Sequence, residues 1–121
     1  MAWFLANWLV KKVSPKIKLA GLDLATIGTI TDMVPLVGPN RSIVKFGLKA
    51  VRKTKRLGLL SLYRFAGIER EKIGAYEVGF MIGPRINASG RMGDPMEALR
   101  LICTPNENQA ISLAQKIDQE N

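Results

Sequence analysis

NRSIVKFGLKAVRKTKR, residues 40–56, is the stretch on which the reading of the whole chain turns. Val44, Leu48 and Val51 recur at i, i+4 and i+7, while Arg41, Lys45, Lys49 and Arg52 form an opposing stripe. That spacing predicts an amphipathic helix with one face on a core, and Asn40 is the expected N-cap. The same stretch carries seven cations and no acid. Residues 1–40 hold four Lys and Arg against two acids, and residues 57–121 hold seven against eight. The net charge of +8 is therefore concentrated in one segment. A polyanion such as nucleic acid is the default partner for such an excess; a solvated face that keeps the protein soluble fits the charge alone equally well.

Outward from this helix the pattern stays mainly α. TDMVPLVGPN (31–40), with two prolines and a glycine, reads as an ordered turn. Leu22–Ile30 is apolar and is helix or strand by periodicity alone. Residues 2–13 read as a helix, apolar nearly all round, that ends before Ser14-Pro15 and is expected to be buried rather than peripheral on a membrane. It is too short to span a bilayer, which takes about 20 residues. Its lysines follow the apolar run and no small-residue cleavage site comes after, so no export signal is read and a cytoplasmic protein is expected. Towards the C-terminus, Gly58 restarts a short helix (LLSLYRF) closed by Gly67, and Ala75–Ile86 reads as helical despite Gly79, Gly83 and Pro84. Asp94-Pro95-Met96-Glu97 is a helix start, and Thr104-Pro105-Asn106-Glu107 repeats the device. Cys103, in LRLIC, is expected as an inert core thiol. The last helix places Ala110, Leu113, Ala114 and Ile117 on one face and stops without a C-cap signal, as a helix cut short would.

Composition removes whole classes of chemistry. At 121 residues the chain is one domain or part of one. Its lack of histidine rules out histidine general bases, Ser-His-Asp and Cys-His catalysis, and zinc sites built on imidazole. A single Cys rules out an intramolecular disulfide and CxxC motifs. Carboxylates, arginines, lysines, backbone groups or a bound ion must carry any chemistry.

Two segments are unusual. In Gly28–Leu36, GTITDMVPL, Asp32 stands among apolar residues. Either it caps the turn, or it is a carboxylate ligand for a hard divalent cation. In Gly83–Asp94, GPRINASGRMGD, Arg85 and Arg91 bracket Asn87 in what reads as a glycine-rich turn leading to a helix N-terminus. Guanidinium forks, an amide and backbone N–H groups are the groups that bind phosphate. The alternative pairs the arginines with Glu77 or Asp94 and leaves Asp94 as a cap. Neither GxxxxGK[ST] nor GxGxxG occurs.

Taken together, LDLATIGTITDMVPLVGPNR (22–41), VKFGLKAVRKTKRLGLLSLYRFAGI (44–68), VGFMIGPRINASGRMGD (78–94) and AISLAQKIDQEN (110–121) resemble the RecJ-type single-strand-specific DNA exonucleases of the DHH phosphoesterase superfamily. The resemblance runs from about residue 3 over essentially the whole chain, and its specific blocks are GT-x-x-D-x-VPL and PR-x-NA-x-GR. It implies hydrolysis of single-stranded DNA from a 5′ end, in recombination and repair, at a two-metal centre using Mn²⁺ or Mg²⁺. It makes Asp32 a metal ligand and gives Arg85, Asn87 and Arg91 contacts to backbone phosphate. The family's upstream Asp-His-His signature has no counterpart here, nor has its downstream DHHA-type domain. Residues 1–105 thus resemble the C-terminal part of a DHH catalytic domain, and 106–121 the start of the long helix to the DHHA-type domain. The parent domain is expected to be α/β, with its parallel sheet mostly in the N-terminal half. The 121 residues alone are expected to be mainly α, to be catalytically inactive, and to expose apolar surface on helices 2–13 and 22–30. Self-association is the expected consequence unless the remainder of the domain covers that surface. Two other readings are a non-catalytic helical nucleic-acid-binding module and a membrane-surface protein using Trp3, Trp8 and the basic stripe.

Overall fold

A computed structural model describes all 121 residues apart from the side chain of Met92. Among the described residues seven α-helices follow one another: α1 (Ala2–Val13), α2 (Leu22–Thr31), α3 (Gly38–Arg52), α4 (Leu57–Phe65), α5 (Gly83–Met92), α6 (Pro95–Cys103) and α7 (Glu107–Glu120). A short 3₁₀ turn at Arg70–Lys72 and a π-helical turn at Glu77–Ile82 lie between α4 and α5. No strand occurs among the described residues, as the mainly α reading expected.

The core forms where α4 and α7 lie against each other and α6 closes the third side. Leu59 and Leu62 of α4, Leu101 of α6 and Ala114 and Ile117 of α7 are fully buried there, together with Ile73, Val78 and Ile82 from the segment that follows α4. The α2–α3 pair packs on this core through Ile27 and Val51. Gly47 makes that pairing possible: a Cβ at this position would stand 1.6 Å from the Thr26 hydroxyl. Thr26 is buried in the contact, donating to the Leu22 and Ile43 carbonyls.

The 52–56 connection is pinned by polar ties that local sequence patterns do not announce. Buried Asp23 accepts from the Thr54 hydroxyl at 2.9 Å and from Arg56 Nε at 3.0 Å. Arg70 reaches back to the Arg52 and Thr54 carbonyls, and Arg52 Nε donates to the Ile73 carbonyl at 2.7 Å. Each tie satisfies a carbonyl or carboxylate that would otherwise lose its hydration without replacement.

Several expectations are corrected. Leu22–Ile30 is helix, and instead of offering an apolar face outward it packs on α3 and on the π turn. Asn40 is not the cap of α3. Gly38-Pro39 starts that helix from Val37, because proline suits the first turn, and Asn40 Nδ2 donates to the Pro35 carbonyl at 3.2 Å. The stretch 83–94 is no glycine-rich turn. The π turn widens the backbone ladder just ahead of Pro84, so the proline falls in the first turn of α5, after Gly83, and the chain stays helical to Met92. Cys103 is exposed at the end of α6, not in the core. α1 buries no residue: Leu5 and Trp8 remain 60% and 56% exposed, contrary to the expected burial and in line with the expected apolar surface. The Asp94 cap forms as read, accepting from the Met96 amide, but the repeated device does not: Thr104 closes α6, and α7 starts at Glu107 with Asn106 as its cap, accepting from the Gln109 amide.

Candidate nucleic-acid interface

The two unusual segments meet where the end of α2 approaches the start of α5. Gly83 permits the approach, since a Cβ there would lie 2.6 Å from the Thr31 hydroxyl. A cleft of about 420 Å³ opens beside this contact, lined by Thr31, Pro84, Asn87, Ala88, Arg91 and Glu120 among others. Asn87 and Arg91 lie one helical turn apart on α5 and both are exposed, so their polar ends reach solvent at the cleft. Arg91 joins no ion pair among the described residues. The Thr31 hydroxyl and Glu120 Oε2 are buried in the wall and have no hydrogen-bond partner there. A donor fork and an amide at one opening suit an oxyanion that brings several acceptors. Glu120 opposes such a guest, and Lys116 Nζ, 4.0 Å from its other oxygen, offsets part of that charge.

Arg85 is used differently. Its Nε lies 2.7 Å from Asp118 Oδ1 and its Nη1 donates to the Met81 carbonyl at 2.9 Å. The partner is neither Glu77, which accepts from the Gly74 amide, nor Asp94, which caps α6 and lies 3.4 Å from Arg100. Arg85 therefore ties α5 to α7, and the structure brings Asn87 and Arg91 together without it.

Asp32 follows Thr31 and is the C-cap residue of α2, its amide bonded to the Gly28 carbonyl. Its side chain is exposed and accepts no hydrogen bond among the described residues, so it does not fasten the turn as a cap would. It faces a second hollow, of about 810 Å³, shared with Trp3, Phe4, Thr29, Val34 and Asn40. Asp32 is the one carboxylate on that wall, and the Trp3 indole N–H buried near it has no partner. The next residue, Met33, takes a left-handed φ of 52°, a conformation that strains a side chain and sharpens the bend. Thr31 and Asp32 thus set the two hollows on either side of the end of α2.

No family model matches the chain. It is 43% identical over 100 residues to the single-stranded-DNA-specific exonuclease RecJ of Bacillus subtilis, a match that covers 83% of this chain and 13% of that protein. The crystal structure of RecJ from Thermus thermophilus with Mg²⁺ superposes with a TM-score of 0.87 at 36% identity, covering 98% of this chain and 19% of that one. The Mn²⁺ complex of the same protein superposes equally well, over 18% of its chain. The chain is a homologue of one segment of the RecJ exonucleases. It spans less than a fifth of the length of these RecJ proteins.

The metals of those complexes allow a direct test of the residues here. Hard divalent cations take six or more oxygen ligands, several from the protein. Among the described residues no three His, Cys, Asp or Glu side chains gather as a metal site requires. One exposed carboxylate at Asp32 does not make a centre, so the hollow it lines offers one carboxylate ligand and not a complete site. Sequence reasoning also missed a pair outside this cleft: Tyr76 and Phe80 stack at 5.1 Å on the π turn, both well exposed. Their i, i+4 spacing was the available signal.

Proposed function

We propose that this chain serves as the helical, strand-binding segment of a metal-dependent, single-strand-specific DNA exonuclease that works from the 5′ end. Its homology to the RecJ enzymes and the Thr31–Asn87–Arg91 cleft support this reading. In it, Arg91 and Asn87 hold a backbone phosphate, and Arg85 positions α5 for them through Asp118. Asp32 supplies one ligand to a Mn²⁺ or Mg²⁺ centre whose other ligands come from residues outside these 121. Two such ions fix the scissile phosphate and activate water when bound. Residues 1–105 belong to the catalytic domain and 106–121 to the helix that leads to the next one. Recombination and repair in the cytoplasm are the setting this reading implies.

The exposed apolar row on α1 is covered, in the same reading, by the rest of the catalytic domain, and self-association is its substitute when that is absent. No helix among the described residues is long and apolar enough to cross a membrane. The observation that carries the proposal is the free Arg91 fork beside Asn87 in a cleft that adjoins Asp32. Anisotropy of a labelled oligo-dT strand in EDTA tests it. Arg91→Ala is expected to weaken binding about tenfold, the scale of one charge-assisted phosphate contact. Glu120→Gln is expected to strengthen it by removing a like charge. Unchanged affinity in Arg91→Ala overturns the cleft. With Mn²⁺ added, the 121-residue chain is expected to release no mononucleotides, and their release contradicts the assignment of missing ligands.

A further inference from the structure

The basic segment on α3 is not absorbed by the cleft. Of its seven cations, two are consumed inside the fold: Arg52 on the Ile73 carbonyl and Arg56 on Asp23. The other five, Arg41, Lys45, Lys49, Lys53 and Lys55, are exposed and join no ion pair among the described residues. Four of them are spaced by four residues, so their Cα atoms advance by about 6 Å per step and cover about 18 Å of helix. Because four residues overshoot one turn, the row winds slowly about the axis instead of running straight. Its far side is the buried Val44–Val51 face, so the charges sit on the one surface α3 offers to solvent.

The ends of this row are informative. It starts beside Asn40, which lines the same hollow as Asp32. It finishes at a further hollow, of about 660 Å³, whose wall includes Lys53, Lys55, Arg70 and a single acid, Glu71. The backbone beneath that end is held by the Arg70 and Asp23 ties, so Lys53 and Lys55 project from a fixed turn.

We propose that the outer face of α3 is a phosphate track that carries the backbone of a nucleic-acid strand away from the Asp32 hollow. It reads charge only, because no exposed aromatic or amide is interleaved among Lys45, Lys49 and Lys53 apart from Phe46, over which Lys45 itself lies at 5.8 Å. The track rests on the strand-binding reading for its partner but uses none of the cleft residues. Lysines near a helix C-terminus also steady the helix dipole, a purely structural role that would alter stability and leave binding untouched.

The salt dependence of binding separates these roles. The affinity of the 121-residue chain for a 20-nucleotide dT strand is measured in EDTA from 50 to 300 mM KCl. Each phosphate neutralised on a single strand contributes about 0.7 to the slope of log K against log salt. Replacing Lys45, Lys49 and Lys53 together by alanine is expected to lower that slope by about 2 and to cost roughly tenfold or more in affinity at 50 mM salt. Replacing Lys11, Lys16 and Lys18, also exposed, changes the net charge equally and is expected to leave the slope almost unchanged. A dA strand is expected to respond as the dT strand does. The proposal is overturned if the α3 triple keeps the wild-type slope, or if the two triples lose slope alike. Arg91→Ala in the same titration keeps the readings apart: failure of the cleft leaves the α3 effect standing, and failure of the track leaves the Arg91 effect standing.

Discussion

The two ends of the molecule carry similar apolar content and treat it in opposite ways. Around α4, α6 and α7, Leu59, Leu62, Leu101 and Ile117 are sealed completely. In α1 and the bend after α2, Leu5, Trp8, Met33, Leu36 and Val37 stay open to solvent. Hydrophobicity alone does not decide burial; an apolar stripe is buried only if the chain also supplies a face for it. The final three helices supply one another's partners, whereas α1 has no comparable neighbour among the described residues. The candidate cleft sits on the seam between these regions, with one wall from α2 and the other from α5.

The contrast can be broken most strongly in the core. Leu62→Ala is expected to cost about 2–5 kcal/mol in urea unfolding. Trp8→Ala is expected to stay within about 0.5 kcal/mol, because it removes exposed surface. Equal losses would mean that α1 is docked in solution. Gly47→Ala probes the contact within the α2–α3 pair and is expected to cost about 1–3 kcal/mol, since Thr26 and the α2–α3 spacing must give way. A neutral result would show that the helices separate freely.

A smaller effect is expected from pH. Tyr63 is buried, its hydroxyl donates to the Val51 carbonyl, and burial, reinforced by Asp23, raises its pKa well above the ordinary 10.0. Because the folded value lies above the unfolded one, its stabilising share is complete below about pH 10 and fades as pH rises beyond that. The urea midpoint should fall between pH 9.5 and about 11 more steeply in wild type than in Tyr63→Phe. Parallel curves would mean that Tyr63 titrates as an exposed phenol does.

What could be read in the sequence follows interaction range. The amphipathic α3, the Asp94 cap and the apolar face of α7 depend on residues within one or two turns, and each forms as its pattern indicates. The helical reading of Ala75–Ile86 holds because a π turn takes up the irregularity ahead of Pro84, whereas the turn read over 83–94 does not form because the chain stays helical through Gly90 to Met92. The Arg85–Asp118 pair is not legible in the sequence because the two residues lie 33 positions apart and only packing brings them together. The Asp23–Thr54–Arg56 ties escaped for the same reason. Of the candidate residues, the structure places Asn87 and Arg91 one turn apart at the cleft, engages Arg85 with Asp118, and sets Asp32 on the neighbouring hollow.

The central claim, that the seam between α2 and α5 receives the backbone of a single strand, is tested most directly by amide NMR shifts as a dT strand is titrated into the labelled chain. The account predicts that Thr31, Asn87, Ala88 and Arg91 move together and saturate with the strand. Saturated binding that leaves all four amides in place would contradict it.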